Sequence, residues 1–252
     1  MKERKNIVAV IPAAGFARRL GLERGSKEVL TIGVKTDGSS QLICDSLLNA
    51  CSMAGASVAW WVIREEKVDI VGALSTRRYR GLQNRFVTTD PTRSTPHTLD
   101  RAFDKLEKAT VLCGFPDILF EPESAFTSML TELEQRQADV VLGLFESDRP
   151  EKMDVVITDD QNRVTAIRIK QPDCGNRRAW ILAAWKPTFT RFLHKFLTDH
   201  PGDGEEELYL GHVFLAALKC QLRVVAVEIP GARCFDIGTP DDLERIREQA
   251  GA

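Results

Sequence analysis

Residues 7–30 read IVAVIPAAGFARRLGLERGSKEVL, an apolar strand, a loop of small residues, then Arg18, Arg19 and Lys27. Ile7 to Ile11 is a short β-branched run near the N-terminus, the pattern of a buried first strand in a parallel sheet. Ala13, Ala14 and Gly15 follow with almost no side chain, so a ligand can approach the backbone and take hydrogen bonds from its N–H groups. The arginines can fork onto phosphate oxygens, and Lys27 can act as a movable point charge on the same polyphosphate. Two readings stay open at this level: a phosphate loop, or a tight turn leading into a solvated basic loop.

Working outward, strands and helices alternate through the first half. Strands are expected at Ser57 to Ile63, Arg85 to Thr89, Thr110 to Cys113 and Asp139 to Phe145. Helices are expected at Leu42 to Met53, Lys67 to Leu74, Thr98 to Glu107 and Glu123 to Arg136. Such alternation predicts right-handed crossover units and an α/β fold, with a doubly wound, mainly parallel Rossmann-like sheet. The second half changes character. Asp154 to Ile157 and Val164 to Ile169 flank the turn Asp159 to Asn162 and read as a hairpin, a small inserted β lobe. Thr239 and Pro240 open a terminal helix as N-cap and first residue. The chain is expected to form a single domain, 1–252, whose character changes at about residue 150.

At 252 residues and 43% hydrophobic content the chain can bury one substantial core. Basic and acidic residues nearly balance, 34 against 36, and no basic run marks a nucleic-acid footprint. The charged N-terminus leads into too few apolar residues for a signal peptide or membrane span, so a cytoplasmic protein is expected. Six cysteines without a Cys-x-x-Cys pair read as reduced, mostly buried thiols.

The strings AAGFARRL and SKEVLTIG resemble the signature loop of the sugar-nucleotide pyrophosphorylases, the sugar-1-phosphate nucleotidyltransferases. Gly15, Arg19, Leu20 and Lys27 fall on family positions, whereas Ala17, Arg18 and Ser26 depart from the usual Gly, Thr and Pro. Further strings appear in family order over nearly the whole chain. GFPDILF at 114–120 and CFDIGTPDDL at 234–243 place Asp117 and Asp236 at strand ends. A lone aspartate there is ordinarily a turn or cap residue, but the paired strings match the positions that hold Mg²⁺ in the family, and carboxylates are ligands Mg²⁺ prefers.

The resemblance implies transfer of NMP from an NTP, pyrimidine-bearing by the character of the base loop, to a phosphorylated acceptor with release of pyrophosphate. Arg19 and Lys27 would be catalytic, Ala13, Ala14, Gly15, Thr95 and Pro96 nucleotide-binding, and Lys170, Glu207 and Trp180 acceptor-binding. His97 reads as a helix-start residue. Ile169 and Trp180 stand where relatives carry a sugar-contacting glutamate and a small residue, which implies a smaller, less polar acceptor pocket that disfavours glucose 1-phosphate. No nucleic-acid or membrane partner is implied; the oligomeric state stays open, a homo-oligomer included. Rivals are a nucleotide-sensing regulatory subunit of the same fold, favoured by Ala17, Ile169 and Trp180, and a nicotinamide-dependent dehydrogenase, which would want Gly-x-Gly-x-x-Gly after the first strand.

Overall fold

The computed structural model describes residues 6–15, 25–35, 38–147, 149–171, 175–200, 207–237 and 239–251. Arg18, Arg19 and Cys174 lie outside them. Strand β1 (Ile7–Pro12) is followed by a 3₁₀ turn at Lys27–Val29 and by the hairpin of β2 (Thr31–Val34) and β3 (Ser40–Leu42). Next come α1 (Asp45–Met53), β4 (Val58–Ile63), α2 (Val68–Ser75), β5 (Gln83–Thr88), α3 (Thr95–Asp100), α4 (Phe103–Leu106) and β6 (Thr110–Gly114). The first half closes with β7 (Ile118–Glu121), α5 (Ala125–Gln135) and β8 (Val140–Glu146). The second half carries β9 (Asp154–Thr158), β10 (Val164–Ile169), β11 (Arg178–Trp185), α6 (Pro187–Asp199), α7 (Leu210–Lys219), β12 (Val224–Glu228), β13 (Arg233–Asp236) and α8 (Pro240–Gly251).

A nine-stranded sheet forms the centre. β1 pairs in parallel with β4 on one side and β6 on the other, and β5 extends the parallel run beyond β4. β11 enters antiparallel between β6 and β8, and β12 runs parallel to β8. The β9–β10 hairpin caps this end as the expected small lobe. The alternation of side chains along β1 shows why both faces must be covered. Ala9 and Ile11 pack into a core with Leu47, Leu48 and Phe126 of α1 and α5, while Val8 and Val10 pack into a second core with Leu99, Phe189 and Phe214 of α3, α6 and α7. Trp61 and Trp185 are fully buried, and each indole N–H keeps a partner, Asn84 and Thr190 respectively.

Two details differ from the sequence expectation. The helix expected over Thr98 to Glu107 is two short helices, α3 and α4, and α3 begins earlier, at Thr95 just ahead of Pro96. Two short antiparallel pairs, β2 with β3 and β7 with β13, were hidden because runs of three or four residues are too brief to show a period of two. The pairing of β7 with β13 sets Asp236 opposite Ile118, and Ile237 donates its N–H to the Asp117 carbonyl at 3.3 Å. Cys44, Cys51 and Cys113 are buried, which pushes their thiols up out of the reactive range, whereas Cys220 is exposed. No helix among the described residues is long and apolar enough to cross a membrane.

The start of α8 carries a reciprocal cap. Thr239 donates its N–H and hydroxyl to Asp242 Oδ2 at 3.0 and 2.8 Å, and the Asp242 N–H returns to Thr239 Oγ1 at 3.3 Å. Asp242 also pairs with Arg149 at 3.0 Å, tying α8 to the loop after β8. Thr239→Ala is expected to destabilise the protein by about 0.5–2 kcal/mol in urea denaturation, with α8 losing amide-exchange protection first.

Candidate functional site

Open α/β sheets bind ligands beyond the carboxyl ends of their strands, and there the chain forms a cleft of about 250 Å³. β1 delivers Ala14 and Gly15 to it, the 3₁₀ turn delivers Lys27 and Glu28, the approach to α3 delivers Ser94 and Thr95, and the end of β6 delivers Phe115 and Asp117. Glu207 closes one side. Ala13 and Ala14 are buried, with the Ala13 N–H donating to Val62 O at 2.9 Å and Arg64 Nε donating to Ala14 O at the same distance. Gly15 is exposed, and a Cβ there would meet no described atom within 4 Å. Its openness comes from space at the cleft, not from a packing demand.

Lys27 and Asp117 form an ion pair across this cleft. One carboxylate and one movable ammonium thus meet at one point. Behind them sits a buried pair: Lys67 Nζ lies 2.6 Å from Glu28 Oε1, while Glu28 Oε2 is buried with no hydrogen-bond partner. Burial pushes the Glu28 carboxyl up, against the pull of Lys67.

In the loop that leads into α3, Thr98 shares a 2.5 Å hydrogen bond with Thr92, and Ser94 bonds to His97 Nδ1 at 2.8 Å. Burial and then Arg93 hold the His97 imidazole below its usual value. Pro96 is buried behind Thr95. His97 therefore braces the loop, as expected of a helix-start residue.

In the second half of the chain, Trp180 turns toward the core and Ile169 pairs across the hairpin with Asp154. Trp180 is 5% exposed, packed against Phe115 and Phe214 at centroid distances of 5.7 and 5.2 Å, and lies outside the cleft lining. Lys170, with φ 46°, places its ammonium 3.7 Å from the Tyr209 ring centroid, and the Tyr209 hydroxyl donates to Glu207 at 2.7 Å. Asp154, paired with Ile169 across the hairpin, brings in a carboxylate that the sequence reading did not anticipate. It seats against Gly211, where a Cβ would stand 2.6 Å from Asp154 Oδ2. Burial pushes the Asp154 carboxyl up, while Lys170, Trp180, His212 and the Gly211 N–H pull it down.

Of the residues expected at the site, Ala14, Gly15, Lys27, Thr95, Asp117 and Glu207 share the cleft. Asp236 is brought beside it by backbone pairing, Lys170 connects through Tyr209, and Arg19 lies outside the described residues. Among the described residues, no group of three or more His, Cys, Asp or Glu side chains gathers as a metal centre. Arg64, Arg93, Glu28 and Asp154 were missed. Only the apolar context of Glu28, between Lys27 and Val29-Leu30, could have drawn notice beforehand.

No protein-family model matches the chain, nor does any curated sequence. Solved structures do. A putative glucose-1-phosphate thymidylyltransferase from Bacillus anthracis, in complex with a sucrose, superposes with a TM-score of 0.82 at 15% identity, over 97% of this chain and 95% of that one. The UTP-bound UDP-glucose pyrophosphorylase from Acinetobacter baumannii gives 0.78 at 14% identity, over 98% and 94%. The inositol-1-phosphate CTP transferase from T. maritima gives 0.75 at 19% identity, over 100% and 97%. The fold is the one these proteins share. It is a mixed α/β fold with a mainly parallel central sheet, with the cleft at the carboxyl edge of its parallel strands.

Two stability outcomes follow from the buried charges. Lys67→Met leaves Glu28 buried without its cation and is expected to cost about 3–5 kcal/mol in urea denaturation, most of it recovered in Glu28→Gln/Lys67→Met. A carboxyl whose folded pKa is raised favours folding below its unfolded pKa, and that advantage is lost as pH rises through the folded value. Asp154→Asn should therefore gain in melting temperature relative to wild type as the pH rises from the ordinary carboxylate range to neutrality.

Proposed function

We propose that this chain is a nucleotidyltransferase that moves NMP from a pyrimidine NTP to a phosphorylated polyol, releasing pyrophosphate. The observation that carries the reading is the meeting of Gly15, Lys27 and Asp117 in one cleft at the carboxyl edge of β1 and β6. The fold neighbours include a putative thymidylyltransferase, a UTP-bound pyrophosphorylase and a CTP transferase, which supports the pyrimidine. The acceptor phosphate is already anionic and can attack the α-phosphorus in line, so no covalent intermediate or histidine base is required. Catalysis then rests on positioning and charge stabilisation.

Asp117 and Asp236 would hold Mg²⁺. The residues present fit such an ion, because Asp117 already attracts a cation, the Lys27 ammonium, and the β7–β13 pairing brings the Asp236 backbone alongside. When bound, the ion would neutralise charge on the reacting phosphates. Arg19 would hold the departing phosphates, Lys27 would stabilise charge at the α-phosphorus, and Gly15 with Thr95 would accept the nucleotide. Lys170 and Glu207, linked by Tyr209, border the acceptor, and Trp180 shapes its floor from the core.

Ile169 removes a hydroxyl-binding carboxylate and Asp154 supplies one from the opposite strand. The acceptor's hydroxyl arrangement should therefore differ from that of glucose 1-phosphate, which is expected to react poorly. A pyrophosphate-release screen of UTP, CTP and dTTP with Mg²⁺ against sugar and cyclitol phosphates tests the whole reading. Release must depend on both substrates; nucleotide binding without release from any pair would leave a sensor.

Within that assay, Asp117→Asn and Asp236→Asn should each remove most turnover without loss of fold. Lys27→Ala should lower kcat about ten- to a hundredfold with a smaller change in nucleotide KM, the signature of a contact stronger in the transition state than in the ground state. The same Lys27→Ala protein should bind Mn²⁺ more tightly in calorimetry, since Asp117 loses its competing cation.

A further inference from the structure

Lys27 is presented by a short segment anchored on both flanks to the residues that open α2. On one flank, Ser26 donates its N–H to Asp69 Oδ2 at 2.6 Å and its hydroxyl to Asp69 Oδ1 at 2.9 Å. On the other, Glu28 pairs with Lys67, the two side chains being 2% and 6% exposed. Lys67 is the N-cap of α2 and Asp69 stands in its first turn, so a single element supplies both anchors. Between them the Val29 N–H donates to Ser26 O and the Leu30 N–H to Lys27 O, at 3.2 and 3.3 Å, which closes the turn. The Lys27 side chain alone leaves this frame, to meet Asp117.

A three-residue turn has little cooperativity of its own, because short 3₁₀ segments have poor hydrogen-bond geometry. Ser26 is 5% exposed, and both of its donors end on one carboxylate. Loss of that carboxylate would leave a buried N–H and hydroxyl unsatisfied, and the backbone would move to find partners. Movement at residue 26 is transmitted directly to residue 27.

We propose that Asp69 is a positioning residue for Lys27: it pins the Ser26 backbone, with the Glu28–Lys67 pair as the second anchor, so that the ammonium is held at the Asp117 end of the cleft. The role is to restrict conformation, and a proline can do the same covalently. Ser26 has φ −95°, within reach of the fixed φ of a proline, which also lacks the N–H that Asp69 accepts. Proline at 26 should therefore make Asp69 dispensable.

The kinetic half of this inference rests on the nucleotidyl-transfer reading, and the geometric half does not, so the test reads both. Full-length wild type, Asp69→Ala, Ser26→Pro and Ser26→Pro/Asp69→Ala are labelled with limiting acetic anhydride, and acetylation of Lys27 is followed by mass spectrometry. Asp69→Ala is expected to raise the Lys27 labelling rate about tenfold and to lower kcat about tenfold, with nucleotide KM changed by less than about threefold, as misplacement of a group aligned for the transition state predicts. The double variant should return both quantities to within about threefold of wild type. A wild-type labelling rate in Asp69→Ala, or a double variant that stays as altered as Asp69→Ala, overturns the proposal. A protein without transfer activity sinks the proposed function, while the labelling rates still decide the clamp.

Discussion

The placement of β1 between β4 and β6 in parallel register is the constraint from which the site follows. Each strand leaves the sheet at the same edge, so Pro12 to Gly15, Arg64 and Gly114 to Asp117 emerge side by side from three separate parts of the chain. A ladder of evenly spaced hydrogen bonds sets that edge. Ala13 continues it by one further bond to Val62, so the loop is anchored to its neighbour before it departs. The small residues at 13 and 14 are buried there, leaving Gly15 to face the cleft.

Charge is organised around this edge in two layers. The outer layer, Lys27 with Asp117, is partly exposed, which under the proposed function would let it exchange partners when a polyphosphate or a cation arrives. The inner layer, Glu28 with Lys67, is too deeply buried to exchange, because separating the pair would leave an uncompensated charge in low dielectric. Fixed inner charges and adjustable outer ones suit a site that depends on preorganisation, since the backbone is held while one ammonium responds.

The crossover units were legible in the sequence because they leave long signals: the β-branched run at Ile7 to Ile11 and the helical periods that follow it. The terminal cap at Thr239 and Pro240 was legible for a chemical reason, a hydroxyl followed by proline at a helix start. What stayed hidden was made by distance. Ser26 meets Asp69 and Glu28 meets Lys67 across about forty positions of sequence, and neither pair has a local period. The β7–β13 pairing joins segments still farther apart, through strands too short to read. Trp180 shows the opposite error, in which a position was legible but its direction was not: the side chain turns into the core beneath Phe115.

That turn changes how the acceptor half should be understood. A tryptophan filling the pocket would make it smaller and drier, whereas one filling the core leaves the pocket to its neighbours. Its buried Nε1–H has no partner within hydrogen-bonding distance, yet the same N–H favours the charged form of Asp154. Gly211 is the residue that admits Asp154, because any Cβ would occupy the place of its Oδ2. The substitutions at 154, 169, 180 and 211 thus act as one unit. Under the proposed function, the carboxylate that relatives carry at 169 would have its counterpart in Asp154 across the hairpin, where the glycine at 211 makes room for it. A side chain added at 211 alone would clash with Asp154, and loss of Asp154 alone would remove the carboxylate near Lys170, so under the proposed function acceptor preference should move with the set and not with single residues.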